Sequence, residues 1–342
     1  MLDMTTYVFG AGASRAAGYP LANELGNWLR DWAEHPTAHQ MCRDSIQELF
    51  DIYGDLSNLE QILTELDDPR PGSRVAAHSP EMRGRLRLYL RVAISELFRT
   101  LERELAPLYE RLAREKAHPG DVFVTFNYDV ACERELKRSG LWEINDGYGF
   151  CLNSEAIPPS RVSVLKLHGS ANWLESAFGG NTGFFRGGPN AFGSRPVIPK
   201  WVIEFFGYPP EVRDPEGSRI FGAMPAMIMP TLNKRFYEQT SGGRELESFW
   251  EDLWEQATHA LKSSDEIVIV GYSMGAADEK ARNLLLNAPT RHARIGIFCG
   301  TSTDSISNEF AARGYLNLYS YGKHLFEDYL GGCAASGRLF AM

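Results

Sequence analysis

The stretch that decides the fold is Tyr7-Val8-Phe9-Gly10-Ala11-Gly12-Ala13-Ser14. An apolar strand that runs directly into a glycine-rich turn and a helix start is typical of the opening of a dinucleotide-binding α/β fold. Glycines in such a turn let backbone amides approach a pyrophosphate, and the next helix points its positive end at the same place. Arg15 stands where the usual motif has a third glycine. A tight turn without a ligand is therefore the alternative interpretation of this stretch alone.

A long helical segment follows the turn, at residues 21–118. Its apolar residues recur at helical spacing, namely Leu25, Trp28, Leu29, Trp32, Leu59, Ile62, Leu63, Leu66, Leu90, Ile94, Leu97, Leu101, Leu105, Leu108 and Leu112. About 100 residues are too many for a simple crossover between two parallel strands. The pattern therefore predicts a helical insertion subdomain.

Four apolar segments downstream predict the remaining strands of a parallel sheet, at residues 122–124, 162–165, 266–270 and 295–298. Helical patterns occur at 245–261 and at 277–286. Because strands alternate with helices, the chain is expected to form a Rossmann-like, doubly wound α/β sheet.

A second insertion is predicted at residues 179–222, which are rich in glycine, proline and aromatic residues and show little periodicity. Long loops of this kind often cover a site as lids. Residues 331–342 are expected to be a loose tail, so that one domain with two insertions spans residues 1–330.

Polar residues follow the predicted strands directly, at the end of the sheet where α/β proteins place ligands. Asn127 and Asp129 follow the second strand, and His168 follows the third. Asn127 is suited to orient a ribose hydroxyl or a water, Asp129 to accept from an amide, and His168 to exchange a proton at neutral pH. A turn asparagine, a helix cap and a structural histidine are the alternatives for these three residues.

The turn Gly271-Tyr272-Ser273 ends the strand at residues 266–270. Its small residues would let a backbone approach a ribose or a phosphate. An ordinary strand-to-helix turn is the alternative.

Charge and composition disfavour two classes of partner. The 342 residues are 44% hydrophobic and 23% charged, which is ordinary for a globular protein. A formal net charge of −9 argues against nucleic-acid binding, which needs a basic surface. No apolar run reaches the roughly 18 residues of a membrane span. Residues 1–4 do not begin a secretory signal, so the cytoplasm is the expected location.

The cysteines and histidines predict no metal site. The chain has 5 cysteines, and no two are spaced as a C-x-x-C pair. No cluster of carboxylates or cysteines accompanies His168 in the sequence. A zinc site normally needs four such ligands, so reduced and mostly buried cysteines are expected.

Together these motifs resemble the sirtuin superfamily. The matching residues are Gly10-Ala11-Gly12-Ala13-Ser14, Gly18, Pro20, Asn127, Asp129, His168, Gly169, Gly271 and Ser273. Their order and their positions at strand ends make the set specific. Three short segments look like those of the bacterial sirtuin-like domains of antiphage defence systems, which consume NAD. These segments are Thr-Phe-Asn-Tyr-Asp at 125–129, Leu-His-Gly-Ser at 167–170 and Gly-Tyr-Ser at 271–273.

The chain departs from protein-deacetylating sirtuins in three places. Those enzymes carry two C-x-x-C pairs on a zinc module, and this sequence has none. Tyr19-Pro20-Leu21-Ala22-Asn23 stands where they have an Asp-Phe-Arg run that helps to hold nicotinamide. Phe126 replaces the glutamine that precedes their asparagine. These departures disfavour deacylation and a structural zinc.

The resemblance implies a sirtuin-like NAD-binding domain that hydrolyses NAD⁺ to nicotinamide and ADP-ribose. The leaving group is already cationic, so the site must mainly orient the ribose and place a water and a base. By resemblance, Asn127 would hold the ribose and the water, His168 would act as the base, and Asp129 would contact the carboxamide. The residues lining the phosphates and the adenosine ribose would be Gly10, Ala11, Gly12, Ser14, Gly271, Tyr272 and Ser273.

Two other functions stay open beside hydrolysis. One is a module that senses NAD or ADP-ribose without turnover, because a fold alone does not give a function. The other is protein deacylation. An NADase would poison its own cell, so the first interpretation also implies regulation. The expected regulators are a homo-oligomer or a co-encoded defence protein such as a translocase ATPase, acting through the helical insertion or the lid.

Overall fold

The computed structural model describes residues 4–36, 38–102, 105–144, 146–150, 160–176, 197–199, 223–232, 243–275 and 278–331. The strands are β1 (Thr5–Phe9), β2 (Val122–Thr125), β3 (Ser163–Lys166), β4 (Gly169–Ser176), β5 (Val197–Pro199), β6 (Ala223–Met227), β7 (Glu266–Val270), β8 (Arg294–Phe298) and β9 (Leu318–Tyr319). The helices are α1 (Ala11–Ser14), α2 (Leu25–Ala33), α3 (Gln40–Tyr53), α4 (Leu59–Asp67), α5 (Pro80–Thr100), α6 (Pro107–Glu115), α7 (Ala131–Arg138), α8 (Gly243–Ser263), α9 (Glu279–Asn287), α10 (Thr303–Ala312) and α11 (Phe326–Gly331). Within this part of the chain, no helix combines the length and apolarity needed to cross a membrane.

Six strands form a parallel sheet in the order β3-β2-β1-β7-β8-β9. Counted along the sheet-forming strands alone, this is the 3-2-1-4-5-6 order of dinucleotide-binding folds. The predicted α/β, doubly wound class is therefore confirmed. The order reverses between β1 and β7, which are neighbours in register from Thr5 with Glu266 to Phe9 with Val270.

The chain is divided into two compact units. The first comprises Met1–Tyr19, Arg103–Leu167 and Ser248–Met342, and it contains the parallel sheet. The second comprises Pro20–Glu102 and His168–Glu247. It contains α2 to α5 and an antiparallel sheet of order β5-β4-β6.

Aromatic residues fill the sheet of the first unit. The ring of Tyr7 stacks on Phe123 with a centroid distance of 4.9 Å, and Phe9 meets Tyr109 of α6 edge-on at 5.3 Å. All four side chains are buried. A strand that is covered on both faces needs a continuous run of apolar residues. This explains the apolar sequences of residues 7–9 in β1 and 267–270 in β7.

Side-chain caps and buried leucines stabilise the helices of the second unit. The Ser79 hydroxyl accepts a hydrogen bond from the Met82 amide at the start of α5, and Asn58 caps α4 in the same way. Leu49 of α3 and Leu90 of α5 are fully buried. The Ser95 hydroxyl donates to the Ala171 carbonyl (2.8 Å) and so ties α5 to β4.

The helical insertion expected at residues 21–118 contains α2 to α6. Its last helix, α6, lies in the first unit, whereas α2 to α5 lie in the second. The predicted lid at 179–222 lies outside the described residues apart from β5, and the expected tail lies outside them beyond Gly331.

Candidate functional site

The turns after β1 and β7 meet at the point where the strand order reverses. The Gly10 amide donates to the Val270 carbonyl (3.0 Å), and the Gly12 amide donates to the Gly271 carbonyl (2.9 Å). The Gly271 amide in turn donates to the Phe298 carbonyl at the end of β8 (3.0 Å). In open α/β sheets the crevice at this switch point is the general ligand-binding position.

Glycine is required in these turns because two backbones touch. A Cβ atom on Gly12 would lie 2.8 Å from the Gly271 Cα. Gly271 has a φ of +62°, and its Cβ would lie 2.2 Å from the Ala13 nitrogen. Backbone packing therefore explains these glycines without a ligand, and their predicted contact with a pyrophosphate stays a prediction.

Asn127 lies in the turn after β2 with its side chain fixed by two hydrogen bonds. Its Nδ2 donates to the Gly10 carbonyl (2.9 Å) and to the Ser14 Oγ (3.0 Å), and the residue is 7% exposed. Because a carbonyl can only accept, the Gly10 contact determines which way the amide faces. Among the described residues, none donates to the Asn127 Oδ1. This oxygen is the atom that Asn127 has available for a ligand.

Ser14 connects two polar side chains inside the first unit. Its hydroxyl lies 3.0 Å from the Tyr109 hydroxyl and accepts from the Asn127 amide (3.0 Å). A serine hydroxyl has one donor and two acceptor positions, so after accepting from Asn127 it can either donate to Tyr109 or accept from it. With 1% exposure, Ser14 has its hydroxyl engaged by protein, and its predicted role in lining the phosphates stays a prediction.

Asp129 supports the start of α7. Its Oδ1 accepts from the amide of Ala131, the first residue of the helix (3.1 Å), whereas the N-cap position itself is Val130. Burial raises the pKa of this carboxyl, and the neighbouring Lys166 ammonium and Ser14 hydroxyl partly oppose the rise. The predicted contact of Asp129 with the carboxamide of nicotinamide stays a prediction.

Lys166 and Glu133 form a buried ion pair beside this turn, and the sequence alone predicted no role for either residue. The Lys166 Nζ lies 2.8 Å from the Glu133 Oε1, and the two side chains are 0% and 1% exposed. The same Nζ donates to the Asp129 carbonyl. The signal available in the sequence was a lysine directly after the apolar pair Val164 and Leu165 at the end of the predicted strand, a position where a charge is unusual.

The turn after β7 directs Tyr272 inward and Ser273 outward. The Tyr272 ring stacks on Phe126 with a centroid distance of 4.5 Å, and its hydroxyl donates to the Asp278 Oδ2 (3.0 Å). Ser273 is exposed, and Met274 next to it has a φ of +49°. Of the three predicted ligand residues in this turn, Ser273 has its side chain on the surface.

His168 is the first residue of the second unit and is buried. Its carbonyl accepts from the Ile228 amide (2.9 Å), next to β6. The other predicted site residues lie in the first unit, which brings together Gly10, Ala11, Gly12, Ser14, Asn127, Asp129, Gly271, Tyr272 and Ser273. In the described part of the chain, no group of three or more histidine, cysteine or acidic residues is arranged to hold a metal ion.

Comparison with known proteins gives matches among solved structures. No protein-family model and no curated protein matches the sequence. The chain is similar to a Sir2 homolog in complex with NAD, at 14% identity and a TM-score of 0.41, over 96% of this chain and 86% of the other. A structure of a Sir2 enzyme matches at 14% identity and a TM-score of 0.37, over 91% of this chain and 93% of the other. A mutant Sir2 homologue in complex with ADP-ribose matches at 12% identity and a TM-score of 0.38, over 91% of this chain and 90% of the other. The fold assignment rests on the strand order, and no function follows from likenesses of this size.

Proposed function

We propose that this protein is an NAD⁺ glycohydrolase that cleaves the nicotinamide–ribose bond. The observation that carries the proposal is Asn127, whose amide nitrogen is held by Gly10 and Ser14 while its Oδ1 has no donor among the described residues. It stands beside the switch point of a dinucleotide-type sheet, where a ligand is expected. The motif resemblance supplies the reaction class.

For this reaction the protein must orient the ribose and the water and accept one proton. A water oxygen bonds to the ribose C1′, and the bond to nicotinamide breaks with its electron pair going to the ring nitrogen. One water proton goes to a base. Asn127 orients the ribose and the water through Oδ1, and His168 takes the proton, as a histidine can at neutral pH. Support for His168 comes from its place after β3 in the sequence.

The first prediction is that Asn127→Ala and His168→Ala each abolish release of nicotinamide from NAD⁺. Loss of a placed proton acceptor or orienting group typically lowers a rate by about 100- to 10,000-fold. Nicotinamide is quantified by chromatography with the purified protein. The matched controls are Asn283→Ala and His292→Ala, because both residues are exposed and outside the candidate site. Near wild-type turnover in His168→Ala would show that the base is a different group.

The same assay separates the alternatives. Binding of NAD⁺ without release of nicotinamide identifies a sensing module, and release only in the presence of an acylated peptide identifies a deacylase. The assay is run across protein concentrations and with a co-encoded partner, because a cell must restrain an enzyme that depletes its NAD. On this proposal the cellular role is antiphage defence, with assembly or a partner as the trigger.

A further inference from the structure

The turn at residues 126–130 is held at one end by β1 and β2 and at the other end by α7. The Phe126 amide donates to the Phe9 carbonyl (3.0 Å), and the Asn127 amide donates to the Thr125 Oγ1 (3.0 Å). At the other end, the Asp129 Oδ1 accepts from the Ala131 amide. The position of the Asn127 Oδ1 depends on this short segment.

The Asp129 carbonyl lies outside the hydrogen bonds of α7. The helix is capped at Val130, whose carbonyl accepts from the Arg134 amide. The Asp129 carbonyl precedes that bond and accepts instead from the Lys166 ammonium. Since Lys166 pairs in register with Thr125, its side chain crosses from β3 to the turn that follows β2.

Glu133 makes it possible to keep this ammonium in the interior. A buried ammonium without a counter-charge is strongly disfavoured. The Glu133 carboxylate lies 2.8 Å from the Nζ and also accepts from the Tyr148 hydroxyl (3.3 Å). A buried ion pair is often no more stabilising than apolar residues of the same volume. Stability alone therefore does not account for a lysine at this position.

We propose that Lys166 is a positioning residue, which holds the Asp129 carbonyl with an ammonium neutralised by Glu133 and so fixes Asn127 in the turn. This inference rests on the proposed function for its catalytic consequence. Lys166 itself contacts no reacting atom. It acts through Asp129 and Asn127, and a small displacement of an orienting group is enough to slow a reaction by about 100-fold.

The test compares three variants that separate positioning from stability. Lys166→Met removes the donor to the Asp129 carbonyl, and Glu133→Gln breaks the ion pair while keeping that donor. The combined variant, Lys166→Met with Glu133→Gln, has neither buried charge and still lacks the donor. If Lys166→Met alone does not fold, the combined variant is compared with wild type instead. Urea midpoints, kcat and KM for NAD⁺, and hydrogen exchange of the peptide covering residues 126–131 are measured for each.

We expect Glu133→Gln to lower the urea midpoint. The Lys166 amine still carries N–H donors for the Asp129 carbonyl when it loses its proton, so kcat is expected to stay within about twofold of wild type and exchange near wild type. Both variants without Lys166 are expected to lose about 100-fold in kcat and to exchange faster in the turn. Wild-type kcat and wild-type exchange in the combined variant would overturn the proposal. If the wild-type protein releases no nicotinamide, the proposed function fails, and the exchange measurement still decides whether Lys166 holds the turn.

Discussion

At the scale of single residues, the nitrogen and the oxygen of the Asn127 side-chain amide have different roles. The nitrogen donates both of its hydrogens within the first unit, and the oxygen is left for a ligand. Ser14 makes this division possible, because its hydroxyl accepts one of the two Asn127 hydrogens. Orientation of the site therefore depends on a serine that is itself buried.

We predict that Ser14→Ala destabilises the protein more than Tyr109→Phe. The alanine removes the Ser14 partner of two buried groups, the Asn127 Nδ2 and the Tyr109 hydroxyl. Each unsatisfied group costs about 1–3 kcal/mol. The phenylalanine removes one hydrogen bond and leaves Ser14 bonded to Asn127. Urea denaturation measures both free energies of unfolding, and equal losses would show that the bond between Asn127 and Ser14 does not contribute to stability.

The residues of the candidate site differ in how far the sequence could reveal them. Asn127 and Asp129 could be proposed from the sequence, because polar residues that follow parallel strands lie where α/β folds bind ligands, and their contact with a ligand stays a prediction. The Ser14 contact with Tyr109 spans 95 positions, and the Lys166 contact with Asp129 spans 37. No spacing rule relates such pairs, since they depend on which elements pack together and on how far a side chain reaches.

At the scale of elements, strand prediction succeeded where residues are apolar and β-branched. The predicted segment at 266–270 is β7, and the prediction is confirmed. Strand β4 was missed, because it begins Gly-Ser-Ala-Asn, which are poor strand formers. Its pairing with β6 is irregular between Gly169 and Leu174, so tertiary contacts rather than local preference form this strand.

We predict that Gly271→Ala is strongly destabilising and that Gly275→Ala is nearly neutral. The first places a Cβ against the Ala13 nitrogen in a left-handed conformation, which alone costs about 1–2 kcal/mol for a residue other than glycine. Gly275 lies four residues further along the same turn, with open space where a Cβ would be. The test compares the free energy of unfolding of each variant with that of the wild-type protein. Similar values would mean that the two backbones are not in close contact.

At the scale of the whole molecule, buried phenols and thiols link stability to pH. Burial raises the pKa of Tyr7 and Tyr272 far above the ordinary value, and raises the pKa of Cys299 to about 11. The folded protein therefore keeps protons that the unfolded chain releases in alkaline solution. This contribution is fully present below the unfolded pKa values and is lost as pH rises above them.

We predict that the free energy of unfolding falls steeply above about pH 10, by about 1.4 kcal/mol per pH unit for each buried phenol. Urea denaturation at a series of pH values from 8 upwards measures the slope. Tyr272→Phe removes one such group and is expected to reduce the slope by that amount. A slope in Tyr272→Phe equal to that of wild type would show that this phenol ionises as readily in the folded protein as in the unfolded chain.

The contact between Gly12 and Gly271 also determines when the crevice can exist during synthesis. Strand β1 emerges from the ribosome first, but its neighbour β7 follows roughly 260 residues later, which takes tens of seconds at about 5–20 residues per second. Until then the nascent chain can pair β1 with β2 alone. A chain that ends after Asn127 but before Gly271 has β1 without the turn of β7 beside it. On the proposed function, such a fragment is expected to release no nicotinamide.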